Sequence, residues 1–112
     1  MHEGFATTPE PPYYAVIFTS KRTEGDNGYD AMARAMFELA TKQSGCLGAE
    51  HAREPGGIGI TVAYFCDQAA ISAWKQNAEH LAAQQLGKER WYSHYEIRVA
   101  RVERSYSGPE GR

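Results

Sequence analysis

One stretch of the chain concentrates side chains that could bind or transform a small molecule. It runs from Tyr64 to Tyr95 and contains both tryptophans and two of the four histidines. The indole of Trp74 offers a flat apolar surface and an N–H donor, and Asn77 could hydrogen-bond a carbonyl oxygen or an oxyanion. His80 could act as a base near neutral pH. These residue types together could bind a flat molecule and stabilise charge on one of its oxygen atoms.

Each of these side chains also has a structural interpretation. A large aromatic residue on an apolar helix face usually belongs to the core, and the spacing predicts such a face for Ile71, Trp74, Ala78 and Leu81. At about 100° per residue, His80 lies nearly opposite Ile71, so a straight helix directs it to solvent. His80 reaches a pocket only if the helix bends or ends near residues 78–80.

Three further aromatic residues are candidates for the wall of a binding site. Trp91 and Tyr92 precede the last predicted strand and could close the mouth of a pocket. Amphipathic aromatics also favour interfaces, so packing in the core or against a second chain is the alternative for this pair. Tyr64, at the end of an earlier strand, completes the predicted substrate-binding aromatics.

Charged and imidazole side chains on the predicted strands have more than one use. Arg98 could point into a barrel interior and pair with an anionic ligand, or form an ion pair with Glu50 or Glu96, because a buried arginine needs a partner either way. His51 and His94 could face each other across the sheet, but no spacing demands a metal there.

Composition excludes several classes of protein. The 112 residues suffice for one domain, and 42% hydrophobic and 23% charged content is typical of soluble globular proteins. A net charge of −2 without a basic patch argues against nucleic-acid binding, and no apolar run approaches the roughly 20 residues of a membrane span. The N-terminus lacks a secretion signal, and Cys46 and Cys66 lack metal-site spacing, which predicts free thiols in a cytoplasmic protein.

The order of predicted elements indicates an α+β fold. Strands are predicted over residues 13–20, 46–53, 58–65 and 93–106, with helices over residues 28–43 and after a cap at Asp67. This β-α-β-β-α-β order is the ferredoxin-like arrangement, a four-stranded antiparallel sheet with both helices on one face. The domain is predicted over residues 13–106, with a flexible tail at 1–12 and a second tail at 107–112.

The second face of the predicted sheet also needs cover. Both alternating sets of side chains are largely apolar, as in Tyr13, Ala15 and Ile17 against Tyr14, Val16 and Phe18. A sheet with one face in water would show cleaner polar alternation. We therefore expect a twofold homodimer that buries this face.

Several segments together resemble a known family. They are the hairpin from Ser44 to Glu50, the turn at Pro55-Gly56-Gly57, the helix run Ile71 to His80, and Trp91-Tyr92 followed by the strand Arg98 to Arg104. In this combination the chain resembles the antibiotic biosynthesis monooxygenase (ABM) domain family from about Tyr13 to Tyr106. The resemblance implies a dimeric α+β barrel with a pocket in each subunit between the second helix, the sheet and the first helix.

The resemblance also implies a range of activities. Some members of the family are cofactor-free oxygenases of polycyclic phenols or quinols, and others bind and degrade haem. Similarity to the cofactor-free oxygenases implies a small aromatic substrate, no cofactor and no metal. The catalytic candidates would then be Trp74, Asn77 and His80, and the substrate-binding candidates would be Tyr64, Trp91, Tyr92 and Arg98. The alternative is a non-catalytic dimeric module that binds a small hydrophobic ligand or haem, for which the relatives imply His80 as the candidate iron ligand.

Overall fold

Runs rich in β-branched and aromatic residues form the strands of the fold. The computed structural model describes residues 4–22, 38–86 and 92–109, with the backbone alone described for residues 22, 78–86 and 92–93. The elements are β1 (Tyr13–Arg22), a helix α1 whose described part is 38–42, β2 (Cys46–Arg53), β3 (Ile58–Phe65), α2 (Gln68–Leu86) and β4 (Tyr92–Val102). The remainder of the helix predicted over residues 28–43 lies outside the described residues.

The hairpin of β2 and β3 has the bounds that the sequence predicts. Its turn is closed by the Gly57 N–H, which donates to the Glu54 carbonyl at 2.9 Å, and by the Glu54 N–H, which donates to the Ile58 carbonyl at 3.1 Å. Gly56 has a φ of +70°, a conformation that glycine adopts without steric cost. The predicted turn is therefore confirmed, together with both strands that it connects.

The outer ends of β1 and β4 differ from the prediction. β1 continues to Arg22, because Lys21 and Arg22 still find partners on β4. β4 ends at Val102 and not near Tyr106, because Val102 pairs with Tyr13, the first residue of β1. Beyond that point no partner strand remains for the backbone hydrogen bonds of β4.

The strands form one antiparallel sheet in the order β2-β3-β1-β4. This order is that of the ferredoxin-like fold, so the predicted α+β fold class is confirmed. Within the described ranges, no helix is long and apolar enough to cross a lipid bilayer.

The two faces of the sheet are covered differently. The helix face, which carries Tyr14, Val16, Phe18 and Ser20 of β1, packs against α2. Its buried centre consists of Val16, Ala63 and Phe65 from the sheet with Ala70 and Ile71 from α2. The open face carries the alternate residues of β1, from Tyr13 to Lys21.

The N-terminal residues cover one end of the open face. The Ala6 N–H donates to Oε2 of Glu50 at 2.9 Å, and the hydroxyls of Thr8 and Tyr13 lie 3.0 Å apart. Tyr13 and Ala15 are buried. These contacts connect described residues of the predicted tail to the sheet; the division between tail and domain stays a prediction.

The start of α2 and the turn that follows α1 each depend on a specific residue. Oδ1 of Asp67 accepts the Ala70 N–H at 2.8 Å, which confirms the predicted N-cap of α2. Gly45, after α1, has a φ of +91°, and a Cβ added there would lie 2.6 Å from the Cβ of Ala70. The joint between α1 and α2 therefore requires glycine for its backbone conformation and for its close approach.

We predict that Gly45→Ala lowers the free energy of unfolding by about 3 kcal/mol, because left-handed strain and overpacking against Ala70 add. Gly56→Ala is the matched control, since Gly56 also has a positive φ but has no atom within 4 Å of an added Cβ. It should cost only the strain, about 1–2 kcal/mol. Urea denaturation measures both variants, and equal losses would contradict the close approach.

Candidate functional site

Trp74 lies on the core side of α2, above the apolar part of the helix face. Its ring centroid is 6.0 Å from that of Phe65, with the planes tilted by 44°. Nε1 is buried, and no described residue accepts its hydrogen. A buried donor without an acceptor costs about 1–3 kcal/mol, and buried polar groups in proteins nearly always have partners. This N–H is therefore a donor suited to an oxygen atom of a ligand.

Asn77 lies one turn after Trp74 on an exposed part of α2. Its Nδ2 donates to Oε1 of Gln43 at 3.1 Å, which connects α2 to the end of α1. The amide is thus held at the helix joint by a neutral hydrogen bond. Its predicted role as a ligand-binding group stays a prediction.

Three of the candidate site residues lie wholly or partly outside the part of the chain that the structure describes. The side chains of His80 and Tyr92 and the whole of Trp91 lie outside the described residues. The backbone of α2 does continue through His80 to Leu86, so the helix does not end near residues 78–80. One of the two conditions under which His80 would reach a pocket is therefore not met.

Tyr64 lies on the open face, because it alternates with Phe65 and Ala63, which face α2. Its hydroxyl donates to Oε1 of Glu50 at 2.7 Å, and its ring meets that of Tyr13 edge-on at 5.8 Å. The sheet itself separates this group from Trp74. The expectation that Tyr64 lines the same pocket as Trp74 is corrected for this reason.

Arg98 also lies on the open face, where it pairs with Ile17. Neither of its predicted carboxylate partners is engaged with it: Glu50 accepts from Tyr64 and Ala6, and Glu96 pairs with His94 at 2.7 Å. Glu50 and Arg98 lie on opposite edge strands, about 14 Å apart at three strand spacings. The sheet therefore does not bring Arg98 to Trp74.

The suggestion that His51 and His94 face each other across the sheet is wrong. His51 lies in register with Thr61 and Phe18 on the helix face, whereas His94 lies in register with Lys21 on the open face. Among the residues that the structure describes, no three His, Cys, Asp or Glu side chains form a group that could hold a metal ion.

The cysteines are free thiols, as predicted. Burial raises the pKa of the Cys46 thiol, an effect that the hydrogen bond to the Gly48 carbonyl partly offsets. Cys66 is exposed at the edge of an open depression of about 290 Å³ at the joint of α1 and α2. The described lining of this depression includes none of the predicted site residues.

The sequence analysis missed a polar group at the other end of the helix face. Arg53 donates from Nη2 to Oγ of Ser20 at 2.5 Å and from Nη1 to the Gly57 carbonyl at 3.2 Å. Its guanidinium lies over Gly59, where an added Cβ would fall 2.4 Å from Cζ. The available signal was Gly59 itself, since glycine inside a strand often marks a close approach.

Comparison with known proteins places these features in a family. A model described as "Antibiotic biosynthesis monooxygenase" matches residues 12–86. The chain is 48% identical over 104 residues to the uncharacterized protein YqjZ of Bacillus subtilis (strain 168), which covers 93% of this chain and 91% of that protein.

Solved structures share the fold at low sequence identity. The crystal structure of PA3566 from Pseudomonas aeruginosa superimposes with a TM-score of 0.65 at 18% identity, over 88% of this chain and 99% of that one. That of SnoaB, a cofactor-independent oxygenase from Streptomyces nogalater, gives 0.68 at 9% identity, over 83% and 95%. At these identities the likeness establishes the fold alone.

The environment of Tyr64 leads to a prediction about pH. Burial, and next the hydrogen bond and charge of Glu50, raise the pKa of Tyr64 to about 12. Because an unfolded tyrosine loses its proton at about pH 10, the stabilisation due to Tyr64 should be complete below pH 10 and be lost as the pH rises towards 12.

Difference titration of phenolate absorbance between the wild type and Tyr64→Phe measures this group. The wild type should show one tyrosine titrating near pH 12 that the variant lacks. Glu50→Gln should move that titration to lower pH. A Tyr64 that titrates near pH 10, as an unfolded tyrosine does, would contradict the hydrogen-bonded Tyr64–Glu50 pair.

Proposed function

Because the chain belongs to the antibiotic biosynthesis monooxygenase family, we propose that it is a cofactor-independent oxygenase of a small electron-rich aromatic molecule of the phenol or quinol class. The proposed site lies between α2 and the helix face of the sheet. The observation that carries the proposal is the buried Trp74 N–H, for which no described residue is an acceptor. The SnoaB structure supports it to the extent that this fold also occurs in a cofactor-independent oxygenase.

Oxygenation of a phenol without a cofactor places three requirements on the protein. A phenolate is electron-rich enough to reduce O₂ directly, so the protein must bind the ring, favour its anion and exclude water. An N–H donor in a water-excluded site stabilises an anionic oxygen far better than it would in water. Trp74 can supply this donor, and its packing on Phe65 fixes the direction of the N–H bond.

The remaining candidates have subordinate roles in this proposal. Asn77 would polarise the ring oxygen after exchanging its hydrogen bond to Gln43 for one to the substrate. His80 would be the base that removes the phenolic proton. Trp91 and Tyr92 would line the pocket.

The first test is oxygen uptake with a panel of naphthols and quinols. Trp74→Phe keeps an aromatic ring and removes the N–H, so we expect kcat to fall by about a hundredfold, the usual effect of losing one oxyanion donor. Tyr13→Phe is the matched control, because it removes a polar hydrogen from a buried ring on the open face. It should leave uptake unchanged.

Absence of oxygen uptake by the wild type with every member of the panel would contradict the oxygenase. It would favour the second candidate, a non-catalytic dimeric module for a small hydrophobic ligand or haem. The observation on its side is that Asn77 is exposed and already bonded to Gln43. A Soret shift on adding haem that is lost in His80→Ala would identify the haem form.

We further propose that the protein is a homodimer formed through the open face. The apolar side chains of Ile58 and Ile60 on this face are 54% and 46% exposed. The two residues lie on the same face of β3, and adjoining exposed apolar side chains often mark an interface. A twofold arrangement would let each open face cover the other.

Ile60→Lys should shift the protein towards monomer. Burying an unpaired charge in this face costs about 3 kcal/mol or more, which raises the dimer dissociation constant by about a hundredfold. Ile97→Lys is the control, because Ile97 is 48% exposed but lies on the helix face. Sedimentation velocity measures both, and a monomeric wild type would contradict the dimer.

A further inference from the structure

Burial on the open face decreases with distance from the N-terminal residues. Along β1, the open-face side chains of Tyr13 and Ala15 are buried, whereas Lys21 at the other end is exposed. Along β3, Tyr64 is half-buried, whereas Ile58 at the other end is exposed. The N-terminal residues contact the face at its buried end. Among the described residues, they are therefore the cover of this end.

Residues 4–8, which we call the strap, approach the sheet through alternate side chains. Ala6 and Thr8 are half-buried, whereas Thr7 between them is exposed. The strap itself belongs to no strand. Such alternation is typical of an extended segment that lies with one side against a surface.

A bare position on β2 receives Ala6. Gly48 lies at the register shift of β2 and has a φ of +138°, and a Cβ added there would lie 3.0 Å from the Cβ of Ala6. Glycine inside a strand often marks the close approach of another segment. The next open-face residue of β2, Glu50, accepts the Ala6 N–H at 2.9 Å. Both the backbone and the side chain of Ala6 are thus positioned by β2.

A second contact holds the other end of the strap. Oγ1 of Thr8 lies 3.0 Å from the hydroxyl oxygen of Tyr13. The ring of Tyr13 meets that of Tyr64 edge-on, and Tyr64 donates to the same Glu50 carboxylate that accepts from Ala6. The strap therefore completes a closed ring of contacts that passes through β1, β3 and β2.

We propose that the strap is a conformational gate, which opens while the sheet stays folded and so uncovers Tyr13, Tyr64 and Glu50. No residue of the strap is fully buried, and its hydrogen bonds at Ala6 and Thr8 lie outside the strand ladders. Segments of this kind open locally far more often than the whole protein unfolds. The open gate frees one oxygen of the Glu50 carboxylate and exposes two phenol rings. This gate requires neither the oxygenase activity nor the dimer proposed above.

Amide hydrogen exchange of the full chain, followed residue by residue by NMR, tests the gate. The Ala6 amide reports on the strap, and the Val16 amide reports on the sheet, because β1 pairs with a strand on either side. In the wild type, Ala6 should exchange more slowly than in an unstructured peptide. It should nevertheless exchange at least about a hundredfold faster than Val16, because the strap opens without the sheet.

Thr8→Val removes the hydroxyl of the second contact and keeps the shape of the side chain. It should speed exchange at Ala6 about fivefold, the usual effect of losing one hydrogen bond, and leave Val16 unchanged. Thr7→Val is the matched control, because the Thr7 side chain is exposed, and it should leave both amides as in the wild type. Glu50→Ala removes the acceptor of the Ala6 N–H and should abolish the protection of that amide.

An Ala6 amide that exchanges in the wild type as fast as in an unstructured peptide would overturn the proposal. Equal exchange rates at Ala6 and Val16, an Ala6 rate that Thr8→Val leaves unchanged, or an equal effect of Thr7→Val would also overturn it. Ile60→Lys, which should be monomeric, should keep the Ala6 protection. Loss of oxygen uptake or of the dimer would therefore leave these results as they are.

Discussion

A four-stranded sheet that carries apolar side chains on both of its faces constrains the whole molecule. The helix α2 covers one face through Ala70 and Ile71. Among the described residues, the N-terminal segment covers one end of the other face, where Ala6 is bound to Glu50. Elsewhere on this face, the apolar side chains of Ile58 and Ile60 are exposed to water. The homodimer proposed above would cover these exposed apolar side chains of the open face.

The proposed site depends on the same constraint. A ligand that must be kept from water needs a wall on each side, and on the helix face α2 and the sheet provide two. Trp74 brings an N–H into this layer, and the hydrogen-bonded side chains of Arg53 and Ser20 lie on the same face. On the open face, by contrast, the Tyr64 hydroxyl already donates a hydrogen bond to Glu50.

The residue types in its turn made the β2–β3 hairpin predictable, including the first and last residues of both strands. Proline restricts one φ of Glu54-Pro55-Gly56-Gly57 and Gly56 permits the positive φ that the turn needs, so these residues identify the turn between the two strands. The end of β4 was not predictable in this way. Its sequence remains compatible with a strand beyond Val102, and only the position of its partner Tyr13 ends it.

The site was less predictable than the fold, again for a physical reason. Because both alternating sets of side chains in β1 are largely apolar, alternation alone does not say which set meets the helices. The prediction that groups Tyr64 with Trp74 fails because the sheet separates them. The position of the Arg53 guanidinium depends on hydrogen bonds to Ser20 and to the Gly57 carbonyl, which join a strand and a turn. Gly59 was the one sign of it in the sequence.

The indole ¹⁵N–¹H resonance of Trp74, identified by its loss in Trp74→Phe, gives the most direct measurement of where a ligand binds. If the helix face is the binding site, saturation with a naphthol that the protein binds should shift this resonance downfield as Nε1 gains an acceptor. If the ligand binds and this resonance does not move, the site lies elsewhere and the account of the helix face is wrong.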